Sequence, residues 1–190
     1  MGCGPSSRSF PLRPIIAVFA ATALAGWAVP AAAGEVFTGA YVHAVDTPFT
    51  LYTGEGGADF ELGYRFDPVE GLGAIGKPSP YFVGSVNTAG DTSFAGAGLS
   101  WKLGKGPVYV RPGIGLVVHD GPSLRIDPAT GRHTELGSRV LFEPEIAVGT
   151  HVSERLSIEA SWVHVSHARL FNSQQNPGID MMGMRLNWRL

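Results

Sequence analysis

The sequence has little cysteine, no strong charge excess and no long apolar run. Cys3 is the single cysteine, so no disulfide within the chain can stabilise the fold. The formal net charge of -2 at pH 7 gives no support to a nucleic-acid-binding function, which normally needs a basic stripe. No segment holds about 18 consecutive apolar residues or keeps a 3.6-residue hydrophobic period. Disulfide-rich, nucleic-acid-binding and helical membrane proteins are therefore excluded.

Glycine and aromatic residues are plentiful by comparison. The chain of 190 residues has 26 glycines and 10% aromatic residues, and its hydrophobic fraction is 44%. A chain this apolar is not disordered. Glycine is roughly twice as frequent as average but follows no G-X-Y period, which excludes collagen. This composition, with little that indicates helix, predicts an all-β protein of one domain.

Residues 1–33 are typical of a secretory signal peptide. Arg8 and Arg13 precede a short apolar stretch, and the small residues Ala31–Ala33 follow it as a cleavage site. The apolar stretch is shorter than the roughly 20 residues of a membrane-spanning helix. We therefore expect cleavage near Ala33, loss of Cys3 with the leader, and a mature domain over 34–190.

Eight segments of about ten residues show alternating hydrophobicity and are separated by turn residues. This pattern predicts eight antiparallel strands, an even number with lengths that suit an outer-membrane barrel. The predicted strands are 36–45, 58–66, 80–88, 92–103, 107–118, 139–151, 154–167 and 179–190.

The two faces of these strands favour an inverted barrel, apolar outside and polar inside. One face combines glycine with charges of both signs, which suits a narrow interior of ion pairs. The other carries large aromatic residues near strand ends, as a membrane interface does. The alternative is a soluble periplasmic lipocalin-like barrel or sandwich. The predicted interior charges are Glu61, Arg65, Arg111, Glu143, Glu145, Glu159, Arg185 and Arg189, and the predicted aromatic girdle contains Tyr64, Trp101, Trp162 and Trp188.

Connection lengths predict the orientation. With a periplasmic N-terminus, the connections 46–57, 89–91, 119–138 and 168–178 face outward, and three of them are long. Outer-membrane barrels have long outer loops and short inner turns. The seventh predicted strand therefore ends at the outer surface of the membrane.

Three polar residues converge at that surface. His164 and Ser166 continue the lipid-facing side of the seventh strand, and Asp180 begins the same side of the eighth. Neighbouring antiparallel strands bring such residues within about 5 Å. A serine needs a base to become a nucleophile, and the base needs a carboxylate to orient it. The spacing alone favours interface or strand-capping roles for these residues over catalysis.

The remaining polar residues have weaker patterns. His43, His119, His133 and His151 are scattered, and His164 and His167 lie on opposite faces of a strand, so no shared metal site is expected. Glu143-Pro144-Glu145 is a calcium candidate. Inward ion pairing of both acids with partners such as Arg111 is the favoured interpretation.

The C-terminal region resembles the lipid A 3-O-deacylase (PagL) family. The motif runs from Trp162-Val-His164-Val-Ser166-His-Ala168 through a loop to Asn176-Pro177-Gly178-Ile179-Asp180. The resemblance implies that His164 is the base, Ser166 the nucleophile and Asp180 the orienting acid. The chain departs from the family pattern in having Asp180 in place of Glu and His167 in place of an Asn that resembles an oxyanion-hole contributor. The loop between them is also about two residues longer.

The resemblance further implies an outer-membrane esterase that removes the 3-hydroxyacyl chain from the 3-position of lipid A, without cofactor or metal. Its partner is lipopolysaccharide in the outer leaflet, with a homodimer possible. The loop 120–138, with Arg125, Arg132 and His133, is a candidate contact for lipid A phosphates. The alternatives are a non-catalytic small barrel and an outer-membrane phospholipase, because fold alone does not fix function.

Overall fold

A computed structural model of the chain describes residues 34–50, 53–122, 125–126, 131, 133–134, 136–168, 170 and 176–190. The predicted signal peptide lies outside these residues. Across the described ranges, no helix is long and apolar enough to cross a membrane.

Eight long strands form the framework, close to the bounds that the alternation predicts. A short hairpin, β6 with β7, and a 3-10 segment at Glu70–Ile75 were not predicted. The strands are β1 Glu35–Val42, β2 Ala58–Arg65, β3 Ser79–Asn87, β4 Phe94–Ser100, β5 Val108–His119, β6 Arg125–Ile126, β7 His133–Thr134, β8 Val140–His151, β9 Leu156–Val165 and β10 Ile179–Arg189.

The long strands close into an antiparallel barrel in the order β1-β10-β9-β8-β5-β4-β3-β2. Closure is made by β1, which pairs with β2 on one side and with β10 on the other. Val42 lies opposite Met182 in this last pairing, so the end of β1 is next to the start of β10. A closed sheet leaves no unpaired strand edge.

The exposure of the strands follows the inverted pattern. On β2, Phe60 and Leu62 are 61% and 63% exposed, whereas the alternate residues Asp59 and Glu61 are 1% and 3% exposed. β5 repeats this alternation, with Val118 exposed and Arg111 buried. An apolar outer wall around a charged interior is the arrangement of a transmembrane barrel.

Ion pairs fill the interior. Arg185 Nε donates to Glu61 Oε1 at 2.8 Å, and Arg185 Nη2 donates to Glu145 Oε2 at 2.5 Å. Arg111 Nε donates to Glu159 Oε1 at 2.8 Å. Such charges are stable in a low-dielectric interior only when they are paired and hydrogen-bonded.

Three predicted details of this interior need correction. Glu143 and Glu145 do point inward, but the tyrosine hydroxyl of Tyr81 donates to Glu143, and Glu145 pairs with Arg185 instead of Arg111. Arg111 lies opposite Ala147 on β8, which has no charge to pair with it. The Arg111 side chain pairs with Glu159 on β9 instead. Arg189, the last residue of β10, is outside the interior: its side chain is 61% exposed and pairs with Asp67 at 3.5 Å.

The aromatic girdle is present in part. Trp188 lies on the apolar outer wall and is half exposed. Trp101 follows the end of β4, and its Nε1 donates to the carbonyl oxygen of Ile75 at 2.7 Å. Trp101 therefore also anchors the 3-10 segment that links β2 to β3.

Interior glycines make room for aromatic rings. A Cβ atom on Gly98 would lie 2.5 Å from Tyr81 Cζ, and one on Gly149 would lie 2.5 Å from Tyr109 Cζ. Both distances are shorter than real contacts of a Cβ atom, so any side chain there would displace the ring. The high glycine content thus reflects the packing of a narrow barrel.

The two ends of the barrel differ. One end, called here the loop end, carries the connections 43–57, 88–93, 120–139 and 166–178. The opposite end carries 66–78, 101–107 and the tight turn 152–155. Ser166 and Asp180 are both at the loop end.

Candidate active site

Strand pairing brings the candidate base and acid together. β9 and β10 are antiparallel neighbours, and His164 is directly opposite Asp180 in their register. Both residues belong to the outward-facing side, which continues along β10 as Met182 and Met184. The contact between these two side chains therefore follows from the pairing of the last two strands.

A chain of hydrogen bonds links the three side chains. His164 Nδ1 lies 2.6 Å from Asp180 Oδ1, and His164 Nε2 lies 2.9 Å from Ser166 Oγ. With the proton on Nδ1 held by the carboxylate, Nε2 is the acceptor for the serine hydroxyl. The three residues whose convergence the sequence predicts thus form the geometry of a nucleophile, a base and an orienting acid.

The backbone of Ser166 is fixed to β8. Its N–H donates to the carbonyl oxygen of Phe142 at 3.0 Å, and the N–H of Phe142 donates back at 2.8 Å. This bridge extends the β8–β9 pairing just beyond the end of β9 and holds the serine in place. Because the Ser166 N–H is engaged, a donor for an oxyanion must come from elsewhere.

The connection that follows β1 covers the acid. Asp180 has no exposed surface, although it faces outward from the barrel. The N–H of Val45 donates to the Asp180 carbonyl oxygen at 2.8 Å, and the Thr47 hydroxyl donates to Asp180 Oδ2. Sequence reasoning missed this segment, because no motif marks it.

Aromatic rings adjoin the site on the outer wall. The ring centroids of Phe49 and Trp162 are 5.7 Å apart, and those of Trp162 and His164 are 6.3 Å apart. Phe49 is 66% exposed, which leaves an apolar surface at the level of the base. Such a surface suits contact with acyl chains.

His43 anchors the same connection. Its Nδ1 lies 2.7 Å from Asp59 Oδ2, and its Nε2 lies 2.8 Å from Glu55 Oε2. His43 follows the end of β1, outside the strands. Burial disfavours the charged ring, but the hydrogen bonds to Asp59 and Glu55 outweigh it and raise the pKa of His43 to about 9.

Gly178 packs against the base. A Cβ atom at this position would lie 2.7 Å from His164 Cε1, and the residue has a φ of 63°. Both the contact and the left-handed backbone favour glycine. The close approach of this backbone limits how far the imidazole can move.

A cavity of about 240 Å³ lies beside the acid, between the 44–55 segment and the start of β10. Asp180 and Gly178 line it, together with polar residues that include Asp46 and Glu55. His164 and Ser166 are not among its lining residues. Ser166, the candidate nucleophile, therefore lies apart from this cavity.

The other candidate residues have separate environments. His167 is 1% exposed, and its secondary role in stabilising an oxyanion stays a prediction. His119 is buried and contacts the Ser138 carbonyl oxygen at 2.6 Å, while His151 is exposed. The side chains of Arg125, Arg132 and His133 lie outside the described part. Within the residues that the structure describes, no group of three or more His, Cys, Asp or Glu is arranged to hold a metal.

The fold and site define a class of protein: an eight-stranded barrel with an apolar outer wall that carries a Ser-His-Asp arrangement near one end. Comparison with protein families then gives the particular family. Residues 37–189 match the model described as lipid A 3-O-deacylase (PagL). The chain belongs to this family, and the resemblance to the family is confirmed.

Solved structures agree on the fold. The chain is similar to "the outer membrane enzyme PagL", with a TM-score of 0.55 and 18% identity over 82% of this chain and 99% of that one. It is also similar to Neisserial surface protein A (NspA), with a TM-score of 0.53 and 9% identity over 83% of this chain and 97% of that one. No curated protein matches the sequence. Family and fold together imply an outer-membrane location and confirm the barrel in preference to the soluble alternatives.

Proposed function

We propose that the chain hydrolyses the ester-linked 3-hydroxyacyl chain at the 3-position of lipid A, with Ser166 as the nucleophile. The observation that carries this proposal is the hydrogen-bonded series Ser166–His164–Asp180 on the outer wall. Family membership supports the substrate class. A site on the lipid-facing wall would reach an acyl chain without extracting the lipid from the outer leaflet.

The reaction begins with proton transfer from Ser166 Oγ to His164 Nε2. The serine oxygen attacks the ester carbonyl, and Asp180 stabilises the imidazolium that forms. Collapse of the tetrahedral intermediate breaks the bond to the sugar oxygen, which takes the proton from His164 and leaves as a hydroxyl. Water then attacks the acyl-enzyme with His164 again as base, releasing the 3-hydroxy fatty acid and restoring Ser166.

Burial and charge suit these roles. The Asp180 side chain is fully buried and the His164 side chain is 13% exposed, so water has little access to their hydrogen bond. Charge interactions are stronger away from water, so Asp180 is well placed to stabilise an imidazolium that develops on His164. Ser166 is 6% exposed, its backbone is held by the bridge to Phe142, and its hydroxyl lies 2.9 Å from His164 Nε2.

Mass spectrometry of lipid A from cells that express each variant tests the proposal. Wild type should remove one 3-hydroxyacyl group, and Ser166→Ala should leave lipid A intact. Ser161→Ala is the matched control, since Ser161 is on the same strand but buried on the inner side. It should retain activity.

Three outcomes would contradict the proposal. Release of fatty acids from glycerophospholipids, with lipid A unchanged, would favour an outer-membrane phospholipase. Unchanged lipids of both kinds, with every variant folded in the outer membrane, would favour a non-catalytic barrel. Activity in Ser166→Ala would remove Ser166 from the mechanism even if lipid A were the substrate.

A further inference from the structure

The second oxygen of the acid has its own partner. Asp180 Oδ1 faces His164 Nδ1, and Asp180 Oδ2 accepts the hydroxyl proton of Thr47, a residue 133 positions earlier in the chain. A carboxylate rotates about its terminal torsion unless both oxygens are held. The Thr47 contact thus fixes which oxygen Asp180 presents to the base.

The direction of this hydrogen bond is set by the backbone. Thr47 Oγ1 accepts the N–H of Phe49 at 3.1 Å, which occupies one of its lone pairs. A hydroxyl has one proton, and the buried carboxylate is an acceptor only, so that proton is directed at Asp180. Hydrogen bonds to an ionised acceptor are roughly twice as strong as neutral ones.

The segment that carries Thr47 is itself held at three points. His43 contacts Asp59 and Glu55 before it, the N–H of Val45 donates to the Asp180 carbonyl oxygen within it, and Phe49 packs on Trp162 after it. Loss of the Thr47 hydroxyl alone would leave these anchors in place. The effect of the hydroxyl can therefore be separated from the effect of the segment's fold.

We propose that Thr47 is a positioning residue, which orients Asp180 so that the acid holds the His164 imidazole toward Ser166. This inference rests on the proposed roles of the three residues. Thr47 does not touch the reacting atoms; it acts through Asp180. Two regions distant in sequence thus contribute to one site: the consecutive strands β9 and β10, and the connection after β1.

The test compares Thr47→Val, which removes the hydroxyl and keeps the shape, with Thr47→Ser, which keeps the hydroxyl. Full-length protein in detergent is reacted with a fluorophosphonate probe, and deacylation of lipid A is measured in parallel. Thr88→Val is the control, since Thr88 Oγ1 accepts a backbone N–H from Ala58 at the same end of the barrel.

Thr47→Val should lower the phosphonylation rate of Ser166 and the kcat for lipid A by about 10- to 100-fold, with KM little changed. Thr47→Ser and the Thr88 control should react at nearly the wild-type rate. Proton NMR gives a readout without turnover: the downfield His164 Nδ1–H signal should shift or broaden in Thr47→Val and persist in Thr47→Ser.

Wild-type rates and an unchanged His164 signal in Thr47→Val would overturn the inference. Equal impairment of the Thr47→Ser and Thr47→Val variants would also overturn it, because the hydroxyl would then not be the feature that matters.

Failure of the proposed function would give results different from these two outcomes. If wild type reacts with the probe but not with lipid A, the substrate is wrong, and the phosphonylation rates still decide the role of Thr47. If wild type does not react at all, the nucleophile is wrong, and the NMR comparison decides whether Thr47 orients the acid.

Discussion

Gly178 should be essential to the position of His164, the proposed base, because Gly178→Ala alters none of the proposed catalytic residues but crowds the imidazole. The new Cβ would lie 2.7 Å from His164 Cε1, 3.3 Å from Nε2 and 3.6 Å from Nδ1. Ordinary contact begins at 3.4 Å, so the ring must retreat by 3.4 minus 2.7, about 0.7 Å. Its hydrogen bonds of 2.6 and 2.9 Å cannot both survive that movement.

The expected loss of rate follows from this displacement. A misplacement of about 1 Å costs on the order of 100-fold in rate, so a shift of this size should cost about 10- to 100-fold in kcat. The φ of 63° adds a backbone cost for alanine of roughly 1–2 kcal/mol, which affects stability. The two effects need separate measurement.

Gly90→Ala is the matched control for the backbone cost. Gly90 has a φ of 80°, and a Cβ atom there would have no neighbour within 4 Å. Both variants should lose similar stability in urea unfolding, but only Gly178→Ala should lose lipid A deacylation and fluorophosphonate labelling. Equal turnover by the two variants would refute the idea that Gly178 confines the imidazole.

Other changes test the site, the interior and the anchor. Asp180→Asn should lower kcat by about 10³- to 10⁴-fold, because an amide can stabilise the wrong imidazole tautomer; a deacylation rate near wild type would exclude an orienting acid. Arg185→Leu should cost about 3–5 kcal/mol in urea unfolding, since Glu61 and Glu145 lose a buried partner, and an unchanged midpoint and slope would contradict this. The raised pKa of His43 means that its charged form stabilises the fold fully below about pH 6.5, and that this contribution is lost as the pH rises through about 9. Amide exchange in the segment after β1 should show an extra acceleration near pH 9 in wild type and none in His43→Gln; the same step in both would assign it to another group.

The barrel was predictable because apolar and polar residues alternate along each strand. Alternation along each strand predicts two faces, and the choice of outer face rests on charge and aromatic content; the exposure of Phe60 beside the burial of Glu61 bears this out. The pairing of interior charges was less predictable. Arg111 reaches Glu159 because the stagger of the strands, which the sequence does not specify, selects its partner.

The site was predictable only where it is built from neighbouring strands. His164 and Asp180 meet because β9 and β10 are consecutive and antiparallel, which the alternation already implies. Thr47 has no such signal: it follows β1, in a connection with no repeating pattern, and its contact with Asp180 depends on closure of the barrel. His43 likewise looks like an isolated histidine until Asp59 and Glu55 surround it.

Closure of the barrel therefore has a chemical consequence. The proposed base and nucleophile lie on β9 and just beyond it, whereas the proposed orienting acid lies on β10, and the second partner of that acid follows β1. β1 and β10 pair only when the first and last strands of the barrel meet, with Val42 opposite Met182 just below the site. A chain in which β1 and β10 were unpaired would not hold Thr47 beside Asp180. On the proposed roles of these residues, Ser166 should therefore reach full reactivity only in the closed barrel.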